Sequence, residues 1–249
     1  MIDIDALSDS FEEYGTRLGH YFNPKAALID MDGVLYDSMP LHADAWKRMT
    51  AENGMDCDRD EFFLYEGMTG KATIQLLFRK YLNREATDEE CERLYAQKTK
   101  YFAAHNRKPL MPGADMMLRA FHAFNLKRVL VTGSGQSTLI NSLSHDYPGV
   151  FNPSMMVTAA DVKHGKPDPE PYLMGLKKAG CEPWEALVVE NAPLGVESAH
   201  KAGCYTIAVA TGPIPVEKLF DAGADLVFPS MKEFALSAPV FLKLALIQA

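Results

Sequence analysis

Cysteine is scarce in this 249-residue chain: Cys57, Cys91, Cys181 and Cys204 are the only four, far apart and with no CxxC pair. Such spacing gives neither a zinc framework nor a disulfide scaffold, and it suits reduced thiols. Long apolar runs are missing too, since none reaches the about 18 residues a membrane span needs. Basic residues are outnumbered, 25 Lys+Arg against 33 Asp+Glu, for a formal net charge of -8. The acidic balance speaks against nucleic acid or an anionic membrane as the main partner, although local cations or a metal ion can still hold an anionic substrate. The start, with Asp3, Asp5 and Asp9, has neither the basic residues nor the apolar stretch of a signal peptide. We expect a cytoplasmic monomer without membrane or nucleic-acid partners.

What is present suits a globular fold: 47% hydrophobic and 23% charged residues, in a length that fits one large domain or a core with a smaller insert. Ile2, Leu7, Phe11, Tyr14 and Leu18 recur at helical spacing, which predicts an amphipathic helix within an N-terminal extension, residues 1–22, that packs on the rest. Ala26 to Ile29 is a short apolar run that reads as a buried strand ending on Asp30. Residues 39–111 change character, with helical patterns over Leu41–Asn53, Thr69–Leu82 and Thr87–Ala104, the last opened by a capping-box spacing. We read this block as an all-helical insertion.

From Pro112 onward apolar strands alternate with helices. The expected strands are Arg128–Thr132, Met155–Ala159, Ala186–Glu190, Thr206–Ala210 and Asp225–Phe228, with helix stops at Gly180, Gly203 and Gly223. Alternation of this kind means a parallel sheet covered on both faces, with its site at the carboxyl ends of the strands. That rule selects Asp30 and Asp32, Thr132-Gly133-Ser134, and Glu190-Asn191.

Asp30 and Asp32 place two carboxylates just after a buried strand, which is costly unless a cation or protons neutralise them. Mg²⁺, which prefers oxygen ligands, meets that need. One Asp could attack phosphorus while the other handles the leaving-group proton. A calcium-type acidic loop or a helix cap is the bland alternative, but the further acids of an EF-hand are missing. Thr132, Gly133 and Ser134 offer a hydroxyl and open backbone N–H groups for a phosphate oxygen, though an ordinary turn would read the same. Lys166 stands in Gly165-Lys166-Pro167-Asp168-Pro169-Glu170-Pro171, where prolines stiffen the backbone and keep a helix from starting at the lysine. Glu190 and Asn191 could complete a metal site, or make an Asx turn.

The four segments, with DxDGVLxDS, TGSG, GKPxPEP and ENAPLGVESAHKAG in chain order, resemble the haloacid-dehalogenase superfamily from about Lys25 to the C-terminus, and within it the β-phosphoglucomutase/phosphatase group. The resemblance implies an α/β fold, a Rossmann-like parallel sheet core formed by residues 23–38 and 112–249 with an inserted α-helical cap domain, residues 39–111. It implies Asp30 as nucleophile, Asp32 as general acid/base, and Thr132 and Lys166 as phosphoryl binders. Mg²⁺ would be held by Asp30, the Asp32 carbonyl and Asn191, with Glu190 in support. The superfamily's dehalogenases lack the second Asp, so Asp32 argues against carbon–halogen cleavage.

The cap departs from the sugar-phosphate mutases. Where these resemble Lys-Gly-x-x-Arg, this chain reads Glu66-Gly67-Met68-Thr69-Gly70, and Lys71, one residue further along a helix, is turned about 100° away. Glu66 facing a phosphate repels it unless a metal-bound water or a cation intervenes. His42, Glu66, Lys98 and Asn191 together resemble the inorganic-pyrophosphatase members of the group, with Lys98 and His42 holding a distal phosphate. The expected activity is a Mg²⁺-dependent phosphohydrolase acting on pyrophosphate or a small phosphate ester. A β-phosphoglucomutase-type isomerase is the enzymatic alternative, and a phospho-accepting signalling domain the non-enzymatic one.

Overall fold

Strand β1, Ala26–Ile29, has β2, Lys127–Val131, on one side and β4, Ala186–Glu190, on the other. With β3 (Met156–Val157), β5 (Tyr205–Val209) and β6 (Leu226–Phe228) the six-stranded sheet has the order β3-β2-β1-β4-β5-β6, and every pairing is parallel. All four residues of β1 are fully buried, as a strand covered on both faces requires. The computed structural model describes residues 4–105, 108–135 and 137–248, so Ile2 and Asp3 of the sequence pattern lie outside the described residues.

Two apolar layers sandwich the sheet. On one face α1 (Ile4–Leu18), α6 (Ala114–Ala123) and α11 (Met231–Gln248) bury a cluster containing Phe11, Phe121, Phe234 and Phe241. On the other, α8 (Glu170–Ala179) and α9 (Pro193–Lys201) cover Leu28, Val131 and Val188 with Tyr172, Leu176 and Ala199. Helix α1 is part of the core: the Phe11 ring lies 5.4 Å from those of Tyr205 and Phe241, and Arg17 pairs with Asp225 at 2.9 Å.

The strands differ from the sequence expectation at their ends. β3 keeps only two residues of Met155–Ala159, because Thr158 leaves the ladder to donate its amide to Asp161 Oδ2 at 2.8 Å. Thr132 and Ala210 fall just beyond β2 and β5, at the carboxyl edge.

Between β1 and α6 the chain builds the helical unit. Helix α2, Met39–Glu52, starts before the expected Leu41 because Pro40 fits a first turn, and it buries His42, Ala43, Trp46 and Met49 on one stripe. A short α3, Glu61–Leu64, was not expected. The pattern over Thr69–Leu82 divides into α4, Gly70–Leu77, and a π-helical turn, Phe78–Leu82, that ends on Asn83 in the left-handed conformation, φ 52°. Helix α5, Asp88–Ala103, opens with the capping box of Thr87 and Glu90. The unit has its own apolar cluster around Trp46, Phe62, Ile74 and Leu94. Its two linkers run side by side, with Asp37 donating its amide to Pro109 O and Met111 to Leu35 O, both at 2.9 Å.

Candidate active site

The carboxyl ends of β1, β2 and β4 converge, and the residues just past them form one buried cluster. Lys166 comes from the loop before α8, which is pinned where the Lys163 and His164 amides donate to Glu170 at 2.8 and 2.9 Å. Its ammonium donates to Asp30 Oδ1 at 2.6 Å, to Glu190 Oε1 at 2.5 Å and to Val131 O at 3.2 Å. Glu190 is fully occupied: Oε1 also accepts from the Tyr172 hydroxyl at 2.7 Å, and Oε2 from the amides of Asn191 and Ala192 at 3.0 and 3.4 Å. Any support it gave a metal would act through Lys166 and the loop backbone, since both its oxygens already accept hydrogen bonds.

Asp32 sits on the turn after β1, where Ser38 and His42 both address its Oδ1, the imidazole through Nε2 at 3.0 Å. Its Oδ2 is the oxygen left to face a substrate. Gly33, at φ +79°, lets that turn close: a Cβ there would stand 2.0 Å from Asn191 Nδ2. Thr132 Oγ1 accepts from the Ser134 amide at 3.0 Å, so the hydroxyl proton can point to an incoming oxygen.

The helical unit closes this cluster from above. A Cβ on Gly133 would lie 2.3 Å from Gly67 O, so cap and core touch backbone to backbone. Glu66, expected at the cap loop, is buried and accepts from Asn191 Nδ2 at 2.9 Å. Lys98 is buried on α5, donating to His42 Nδ1 at 2.6 Å and lying 5.1 Å from the Trp46 ring. Lys71 points away and pairs with Asp88 at 2.6 Å. Gly70 faces Tyr95, whose ring carbons would stand 2.2 Å from a Cβ there, so Tyr95 takes the space beside residue 70. Asp30, Asp32, His42, Glu66, Lys98, Thr132, Gly133 and Ser134 thus line one cavity of about 60 Å³ together with Trp46 and Tyr95.

Charge in this cavity is unbalanced. Burial, together with Glu190 and Asp32, pushes the Asp30 carboxyl well above its usual range despite Lys166. Burial likewise pushes Glu66 up well above its usual range. Asp32 goes the other way: His42, Ser38 and Lys98 outweigh its burial and hold it low. Lys166 is raised, because Asp30 and Glu190 outweigh burial, whereas burial pulls Lys98 down to about 7. Asn191 Oδ1 is buried with no hydrogen-bond partner. A hard cation beside Asp30 and Asn191 would relieve both defects, so the residues present fit Mg²⁺. Among the described residues no three His, Cys, Asp or Glu side chains converge as a ligand set, so the fit rests on Asp30, the Asp32 carbonyl and the Asn191 oxygen.

Every candidate site residue is therefore in or against one cluster. Sequence reasoning missed Ser38, Tyr95 and Tyr172. Ser38 stood inside the DxDGVLxDS segment, whereas nothing in the sequence tied Tyr95 to Gly70, 25 positions away. For Lys98 a signal existed, since Cys91, Leu94, Lys98 and Phe102 form the buried stripe of α5.

The chain is similar to phosphatases and to a solved structure of the same overall fold. Hexitol phosphatase A of Escherichia coli K12 is 31% identical over 218 residues, 86% of this chain and 94% of its own. The phosphorylated carbohydrates phosphatase of Thermotoga maritima is 28% identical over 184 residues, covering 74% and 83%. A solved structure from Bacteroides vulgatus, described as a candidate beta-phosphoglucomutase, superposes with a TM-score of 0.93 at 43% identity, over 97% of this chain and 98% of that one. The family model for haloacid dehalogenase-like hydrolases matches residues 27–209. With Asp30, Lys166 and the helical unit around one buried cluster, and the family model over residues 27–209, this chain belongs to the haloacid dehalogenase-like hydrolases.

Proposed function

We propose that this protein is a Mg²⁺-dependent phosphohydrolase that works through an aspartyl-phosphate, with inorganic pyrophosphate as its preferred substrate. The observation that carries the substrate is the small size of the cavity, about 60 Å³, lined by Glu66, Lys98 and Tyr95. It has room for a compact anion, against the about 300–1,000 Å³ of pockets that enclose larger ligands.

The Asp30 carboxylate attacks phosphorus, and the bond to the leaving phosphate oxygen breaks as Asp32 Oδ2, held low in the free site but raised by the arriving anionic substrate, supplies a proton. A water then attacks the aspartyl-phosphate with Asp32 as base, which frees Asp30 and releases the second phosphate. Lys166, the Thr132 hydroxyl and the amides near Gly133 and Ser134 hold the phosphoryl oxygens. Asp30, the Asp32 carbonyl and Asn191 Oδ1 would hold Mg²⁺, which when bound neutralises phosphoryl charge. Lys98 and His42 face the far end of the cavity, where an arriving phosphate favours the charged ammonium.

A phosphorylated sugar or polyol is the second reading, and the names of the relatives favour it. Glu66 separates the two. Glu66→Ala should lower kcat/KM for pyrophosphate by about 10²-fold, the scale of losing one group that orients a metal site. Hexitol phosphates and β-glucose 1-phosphate, assayed with its bisphosphate primer, should lose little or gain. A parent enzyme that prefers a sugar phosphate over pyrophosphate, or a uniform loss across all substrates in the variant, would overturn the pyrophosphate reading.

A further inference from the structure

Tyr172 is fully buried among Leu28, Val131, Val157 and Leu176, yet it carries a hydroxyl into that apolar layer. The hydroxyl ends on Glu190 Oε1 at 2.7 Å, the same oxygen that holds Lys166 at 2.5 Å. The Tyr172 ring itself lies 5.1 Å from the Lys166 ammonium. A buried phenol is retained in an apolar layer only where its O–H finds a partner.

We propose that Tyr172 is a positioning residue: by donating to Glu190 Oε1 it limits that carboxylate's hold on Lys166 and leaves the ammonium aimed at Asp30. All three protons of Lys166 are engaged, on Asp30, Glu190 and Val131 O. When a phosphoryl group occupies Asp30, the proton now directed at Asp30 must serve the phosphoryl oxygens, while the one on Glu190 stays. The two carboxylates therefore compete for one cation. A second donor on Glu190 Oε1 satisfies part of that oxygen's demand, so less of the ammonium's charge is drawn away from the reacting end. Gly195 keeps the geometry open, for a Cβ there would sit 1.9 Å from Glu190 Oε1. Without the phenol the ammonium shifts toward Glu190, and the loss is felt where phosphoryl charge is greatest, in the transition state.

The inference rests on the phosphohydrolase reading, and Tyr172→Phe tests it, since the variant keeps the ring and its packing and removes only the donor. With pyrophosphate and with para-nitrophenyl phosphate at saturating Mg²⁺, kcat should fall about tenfold while KM stays within about twofold, the size seen when an outer partner of a site is removed. In single turnovers, phosphorylation of Asp30 and breakdown of the phosphoenzyme should slow together, because both use the same ammonium. A kcat within about twofold of the parent, a loss carried by KM alone, or a loss explained by the unfolded fraction in a thermal melt would overturn the proposal. A parent protein that hydrolyses no phosphate substrate would overturn the phosphohydrolase reading, and this inference with it.

Discussion

Lys98 shows how a single side chain reports the chemistry of its surroundings. An unfolded lysine titrates near 10.4, but burial in the cap brings this one down to about 7. Between those pH values the unfolded chain holds a proton that the folded protein lacks, so stability rises with pH through that window. Below about 7 both states are protonated, and the full cost of the buried ammonium is present. Lys98→Met should remove that cost. The variant should melt above the parent at pH 6, by about 2–4 °C for each kcal/mol removed, and the gap should shrink toward pH 10. A gap independent of pH would mean that Lys98 is charged in both states. The same residue marks how far a sequence can be read. Asp30, Thr132 and Asn191 were legible because the strand-end rule for parallel sheets selects positions from local pattern alone. Lys98 was legible through the resemblance; that α5 buries its ammonium beside His42, and that the Tyr172 phenol ends on Glu190, are tertiary facts that no local pattern carries.

At the scale of elements, the loop after β2 and the loop before α4 meet with no side chain between them. Gly133 and Gly67 are the two faces of that contact. Their spacing was not legible, because the sequence shows two turn-like glycines and nothing that brings the loops together. Gly133→Ala should therefore hold the cap off the core, while leaving the sheet and its two apolar layers intact. We expect kcat/KM to fall by about 10²-fold, since misplacement of about 1 Å costs that much, with a thermal midpoint within a few degrees of the parent. Equal activity in the variant would show that closure does not need this contact. A large drop in melting temperature would move the role of Gly133 from closure to folding. The cap helices themselves were largely legible, since α2 and α5 carry long stripes with proline and capping signals. The break at Leu77 was not, because helical spacing runs on through Phe78–Leu82 and the π-helical turn changes only the hydrogen-bond step.

At the scale of the molecule, the site is assembled from segments far apart in the chain: Asp30 follows β1, Glu66 comes from the cap and Asn191 follows β4. No unfolded chain holds them together, so a cation bound here binds the folded state alone and must stabilise it. The protein carries a net charge of -8, and Asp30, Asp32, Glu66 and Glu190 are all buried within one cluster. Mg²⁺ at about 100 times its Kd should add about 2.7 kcal/mol, which for a chain of this size raises the melting temperature by about 5–10 °C. Screening by salt gives a different result, because the charges are buried and a matched ionic strength of KCl reaches them poorly. Asp30→Asn and Asn191→Ala should each remove most of the Mg²⁺ effect. The gain should also shrink as the pH falls, since protons compete for Asp30, whose carboxyl burial already lifts well above the ordinary range. A shift reproduced by KCl, or one that survives in Asp30→Asn, would place the cation elsewhere on this acidic surface and take the metal out of the proposed mechanism.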